Sequence, residues 1–151
     1  MKQKKSCSSW WWGAAISVII NYNTYKRELE AIRADIIEHQ GNEKVIEYGI
    51  ADTTGERASK LVDNKRVKFL TDAVEAVEYA MTVTRNYSVD VDQYYRRIKL
   101  IDEMYWRLGN KKLPKYYLAR AAQAVAISES LAYLWRKEFL LLVAKKMGWE
   151  E

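Results

Sequence analysis

The sequence predicts an all-α protein: an N-terminal pair of long, heptad-patterned helices, then a three-helix module built around a helix-turn-helix. Three observations carry this. Apolar residues recur at alternating steps of three and four through most of the 151 residues, the spacing that puts them on one face of a helix. One proline and six glycines leave long runs free of helix breakers and argue against an all-β chain. Finally, Leu118 to Lys137, LARAAQAVAISESLAYLWRK, places small and apolar residues where two short helices must be locked at a fixed angle. The expected division is a helical arm or hairpin over residues 1–86 and the module over residues 87–151.

The first helix is predicted from Trp11, Ala15, Val18, Tyr22, Tyr25, Leu29, Ile32 and Ile36, a heptad stripe carried through a single helix. Lys26, Arg27, Glu30, Arg33 and Asp35 lie off the stripe. Ser8 or Ser9 would cap its start and Gly41 would end it. Residues 40–52 read as a loop or arm. Thr53 and Glu56 then have capping-box spacing. The second helix should run on to about Asn86, with Val67, Leu70, Val74, Val77 and Met81 on its apolar face. The first stripe is long for a lone hairpin partner. It therefore admits either a homodimer or packing against the 67–81 stripe of the same chain.

A third helix is predicted from about Val91 to Leu108, with Val91, Tyr94, Ile98, Ile101 and Tyr105 on one face, Asp90 as its cap and Gly109 as its stop. Lys111, Lys112 and Lys115 form a basic loop, and Pro114 suits the first turn of the fourth helix. In the motif, Ala121, Ala122 and Val125 line the inner face of one helix, and Ala132 and Trp135 line that of the next. Ile127 plugs the turn and Ser128 caps the last helix, which should reach Met147 before Gly148. Ala126 stands where glycine is commonest, a mild departure if the backbone there avoids positive φ. The side chains projecting from this core are Glu129, Ser130, Tyr133, Leu134 and Lys137, the expected readers of double-stranded DNA. Arg136, Lys111, Lys112 and Lys115 are the expected phosphate contacts. A net charge of +5 suits a polyanion. The plainer alternative is two core helices of an α-bundle; the seven matched positions, the Ser128 cap and the basic end favour the DNA-binding reading.

Other function classes find little support. The lone Cys7 excludes an intramolecular disulfide and a cysteine zinc cluster, and His39 has no partners at metal-ligand spacing. There is no phosphate-binding glycine loop, nucleophile elbow or HExxH, so no enzyme, cofactor or small-molecule substrate is expected. Asp90 and Asp92 read as helix-start charges, and Asp102 and Glu103 as solvated surface. Lys2, Lys4 and Lys5 before Trp10–Ile20 imitate a signal sequence. However, the apolar run is about half of the ~20 residues that span a bilayer, and no small-x-small cleavage site follows. No membrane association is expected. Of Trp10, Trp11 and Trp12, one should be core and the others should shield it.

Three stretches also carry a family resemblance. They are Tyr22, Tyr25, Leu29, Ile32, Arg33 and Ile36; Asp52 to Leu61 running on to Leu70 and the Ala73–Val77 face; and Leu100, Ile101, Tyr105 and Trp106, followed by Ala122, Ile127, Ser128, Tyr133, Trp135, Arg136, Phe139, Val143, Ala144 and the terminal Met147-Gly148-Trp149. In this order they resemble the RinA family of bacteriophage transcriptional activators, whose C-terminal module is similar to the sigma-factor segment that reads the promoter −35 element. The resemblance implies activation of phage late genes through DNA binding and contact with host RNA polymerase, in the host bacterial cytoplasm at the nucleoid. Two places depart from the pattern. Pro114-Lys115-Tyr116-Tyr117 replaces the usual capping residue and acid, and Leu134 fills a slot that is often basic. Leu134 would meet a thymine methyl, weaken DNA binding, or contact a protein. The alternative function is a helical phage assembly or DNA-packaging adaptor, its helices serving protein contacts.

Overall fold

The computed structural model describes the backbone of residues 2–40, 54–108 and 113–149, with side chains over 10–35, 65–108 and 113–149. The described residues are helical, with no strand among them. α1 spans Lys2–Ile20, α2 Tyr22–Gln40, α3 Thr54–Tyr87, α4 Val91–Ile101, α5 Tyr117–Val125 and α6 Glu129–Met147. A π-helical turn, Asp102–Trp106, extends α4.

The first stripe is buried as its spacing predicts. Trp11, Ala15, Val18, Tyr22 and Leu29 are buried, with Ile19 beside them, and Tyr25 and Ile32 are half-buried. It is carried by two helices, however, not one. The break falls at Asn21, whose side-chain amide donates to the Ser17 carbonyl at 2.9 Å. Two residues back, the Trp106 indole donates to the Ile19 carbonyl at 2.8 Å. The Ser17 carbonyl still accepts the Asn21 N–H at 3.0 Å and the Asn21 carbonyl the Tyr25 N–H at 2.8 Å, so the two extra donors share ladder acceptors and the interruption is confined to this one residue. The expected start is also displaced, because α1 runs through Ser8 and Ser9 from Lys2. Gly41, Thr53 and Gly109 lie outside the described residues, as does the Glu56 side chain that would complete the capping box.

α2 lies along α3, and α1 packs on α6 and on the π-helical turn. Leu70, Val74 and Val77 are buried on α3, with Ala73, Ala76 and Ala80 filling the same face. Of the two uses open to the first stripe, the structure shows packing within the chain. Tyr22 donates to Glu78 at 2.9 Å, and Arg66 grips Glu28 through both carboxylate oxygens at 2.8 and 2.9 Å. α6 packs most extensively on α3. One apolar cluster therefore draws on both regions, 1–86 and 87–151.

The third predicted helix is modified at both ends. Asp90 caps it, accepting from the Gln93 N–H at 2.8 Å. Val91, expected on the buried face, is exposed in the first turn of α4, and burial on that face begins at Ile98 and Ile101. At the far end, Arg107 N–H donates to the Asp102 carbonyl, five residues back, at 2.8 Å. This wider turn still buries Met104 and Tyr105. Pro114 lies before the fourth helix rather than in it. Its carbonyl accepts from the Tyr117 N–H at 3.1 Å, and Tyr116 takes a left-handed conformation, φ 64°, that separates the proline from α5.

Candidate nucleic-acid interface

α5 and α6 are joined by three residues, Ala126, Ile127 and Ser128. α5 turns Ala121, Ala122 and Val125 inward, and α6 answers with Ala132 and Trp135, all buried. The alanines let the helices approach closely. Trp135 closes the wedge at 6% exposure. Its outer ring face carries the Arg97 guanidinium of α4, 4.8 Å from the ring centroid, and Arg97 in turn pairs with Glu138 at 2.9 Å.

The turn is a complete Schellman motif. Ile127 N–H donates to the Ala122 carbonyl at 3.0 Å and Ala126 N–H to the Gln123 carbonyl at 3.1 Å. The motif needs a left-handed residue at its centre, and Ala126 adopts φ 63°, ψ 49°. The condition under which alanine would be a mild departure, a backbone that avoids positive φ, is therefore not met. The two hydrogen bonds and the burial around the turn hold an alanine where glycine would rest without penalty. Ser128 then caps α6 from an extended backbone, its hydroxyl accepting from the Leu131 N–H at 3.1 Å.

With this core fixed, α6 presents an open face. Glu129, Ser130 and Lys137 are exposed, and Tyr133 and Leu134 are 51% and 49% exposed. The five expected readers thus share the solvent side of one helix, opposite Ala132 and Trp135. Lys115 is exposed ahead of α5, its ammonium 5.3 Å from the Tyr116 ring. Lys111 and Lys112 lie outside the described residues. Arg120 and Gln123, not singled out from the sequence, are exposed on the outer side of α5. Their spacing of three opposite Ala121, Ala122 and Val125 was the signal available.

Arg136 is placed differently from expectation. It is half-buried, and its Nη1 donates to the Tyr117 hydroxyl at 2.8 Å. The guanidinium lies 5.1, 5.3 and 5.9 Å from the rings of Tyr133, Trp12 and Tyr117, and its Nε is buried with no hydrogen-bond partner. An arginine so engaged joins α1, α5 and α6 and steadies Tyr133 from beneath; it is not a free surface cation. Nearby, the Tyr105 hydroxyl is also buried without a partner. Burial, then the neighbouring Tyr117, pushes its pKa well above the ordinary phenol value, so it is a neutral structural group. Trp11 is the buried member of the tryptophan cluster. Trp12 covers Arg136, and the exposed Trp10 meets Trp149 edge-on at 6.0 Å.

Among the described residues, no group of histidine, cysteine, aspartate or glutamate side chains is arranged to hold a metal ion, and no helix is long and apolar enough to cross a membrane. No family model, curated protein or solved structure matches the chain.

Proposed function

We propose that the chain is a sequence-reading DNA-binding protein in which α5, the Ala126–Ser128 turn and α6 act as a helix-turn-helix. The observation that carries this reading is the exposed side of α6. Ser130, Tyr133, Leu134 and Lys137 are exposed on one side of a helix whose opposite side is fixed by Ala132 and Trp135. Such a face has the width of one helix, as a major groove does. Ser130 and Tyr133 supply hydrogen bonds to base edges, and Leu134 supplies an apolar surface for a thymine methyl. Lys137 adds a further donor on the same face, and Arg120 and Lys115 flank it with charge for phosphates. By its resemblance to the RinA family, the role we assign is activation of phage late genes with host RNA polymerase.

A second reading has one observation in its favour. Tyr133 and Leu134 are adjacent large apolar side chains in solvent, which also suits a protein contact in an assembly or DNA-packaging adaptor. Selection from a randomised duplex pool separates the two, followed by titration of the selected duplex at two salt concentrations. The DNA-reading proposal predicts an enriched sequence and salt-dependent binding to it. Nonspecific affinity together with ring or filament assembly would favour the adaptor.

A further inference from the structure

A second surface lies at the corner between α3 and α4, and it does not depend on the DNA-reading proposal. Tyr87, Val89, Val91 and Tyr95 are 74%, 84%, 67% and 66% exposed there, a concentration of large apolar side chains in one short stretch. The corner is firmly built. Ser88 Oγ donates to the Thr84 carbonyl at 2.6 Å, the Val89 N–H donates to Gln93 Oε1 at 3.0 Å, and Asp90 caps α4. A bonded turn therefore holds these side chains out. Val91, Tyr95 and Lys99, four residues apart, share one face of α4.

Two grooves border the patch. One, of about 470 Å³, is lined by Tyr87, Arg97, Leu141, Leu142 and Lys145 among others; the second, of about 360 Å³, includes Arg85, Val91, Tyr94 and Tyr95. The charges are uneven. Asp92 pairs with Arg96, Glu138 pairs with Arg97, and the Asp90 carboxylate is used as a cap. Arg85, Lys99 and Lys145 have no ion pair among the described residues. One unpaired cation thus stands in each groove and a third at the end of the α4 stripe. A second copy meeting this face about a twofold axis would set like charges against each other, and a flat bilayer would not fill the grooves.

We propose that this corner docks an acidic amphipathic segment of a protein partner. Its apolar side chains would cover Tyr87, Val91 and Tyr95, and its carboxylates would reach Arg85, Lys99 and Lys145. The test is a titration of the full isotope-labelled chain with a synthetic peptide, followed by NMR. Leucine and tryptophan recur in the peptide at steps of three and four, and glutamate fills the remaining positions. The expected result is saturable shifts over residues 85–97 and 141–145. Affinity should fall about tenfold in Tyr95→Ser and in Lys145→Gln. Both positions are exposed, so thermal unfolding of the variants should match the parent. A control peptide with lysine in place of glutamate should bind more weakly by a similar factor. Absence of binding, equal affinity for both peptides, or shifts centred on Tyr133 and Leu134 would overturn the proposal. So would shifts of the same corner on concentrating the chain alone, on adding duplex DNA or on adding phosphatidylglycerol vesicles, which would assign it to a second copy, nucleic acid or membrane.

Discussion

The two halves of α6 are built from similar residues and behave differently. The first half carries Tyr133 and Leu134 in solvent, while the second buries Phe139, Leu140, Val143 and Ala144. Leu134 and Leu140 have the same side chain, yet one is half exposed and the other fully buried. The difference comes from the neighbours. The first half meets the short α5, with Arg97 of α4 on Trp135 and Trp12 of α1 on Arg136, and its Tyr133–Leu134 side is left open; the long α3 runs beside the second half, where Lys146 lies over the Tyr79 ring. Residue type sets what a helix can bury, and the lengths of its neighbours set what it does bury.

Stability measurements should divide along the same line. Trp135→Ala and Phe139→Ala remove large buried rings and should each cost about 3–5 kcal/mol, and Leu140→Ala about 2–5 kcal/mol, in denaturant unfolding. Leu134→Ala should stay within about 0.5 kcal/mol. A large loss from Leu134→Ala would show that the first half is covered after all.

The ends of α5 and α6 differ by a smaller amount. α6 finishes on the same motif as α5, with Trp149 N–H donating to the Ala144 carbonyl at 2.9 Å, but its left-handed residue is Gly148, φ 82°. Ala126→Gly should stabilise the chain by about 1 kcal/mol, and Gly148→Ala should destabilise it by about the same amount. A Cβ on Gly148 meets nothing within 4 Å, so that effect is purely conformational. Thermal unfolding of the two variants should therefore shift in opposite directions.

The smallest effect expected lies between α2 and α3. Burial, followed by the Glu78 carboxylate, raises the Tyr22 phenol above its ordinary pKa of 10.0. Because the folded pKa is the higher one, the stability it contributes is full below pH 10 and is lost as pH rises toward the folded value. Tyr22→Phe should flatten the decline of stability above pH 10. At neutral pH it should cost less than about 1 kcal/mol, the Glu78 hydrogen bond being half exposed. An unchanged alkaline profile would place that decline in other groups.

Much of this was legible in the sequence. The heptad stripe, the Leu70–Val77 face, the Asp90 and Ser128 caps, the buried Trp135 and the open face of α6 all follow from spacing and cap chemistry, which are local. What escaped was set by distant partners. Nothing near Asn21 in sequence announces that Trp106 will take the Ile19 carbonyl. Nothing around Arg136 announces the Trp12 and Tyr117 rings that enclose it. The left-handed Ala126 escaped for another reason: the turn demands that conformation whichever residue stands there.

In the proposed function, the exposed side of α6 reads sequence while surrounding cations anchor. The most direct test is titration of Ser130→Ala/Tyr133→Ala, Arg136→Lys and Lys115→Ala against the selected duplex and a scrambled one, at two salt concentrations. The paired substitution should abolish the preference, at roughly 1–3 kcal/mol per lost base contact, with scrambled-DNA affinity largely kept. Arg136→Lys keeps the charge and releases Tyr133, so it should reduce the preference without changing the salt slope. Lys115→Ala should weaken both duplexes alike and flatten the slope. Equal loss on both duplexes from Ser130→Ala/Tyr133→Ala would contradict the account and move this face of α6 from reading DNA to holding a protein.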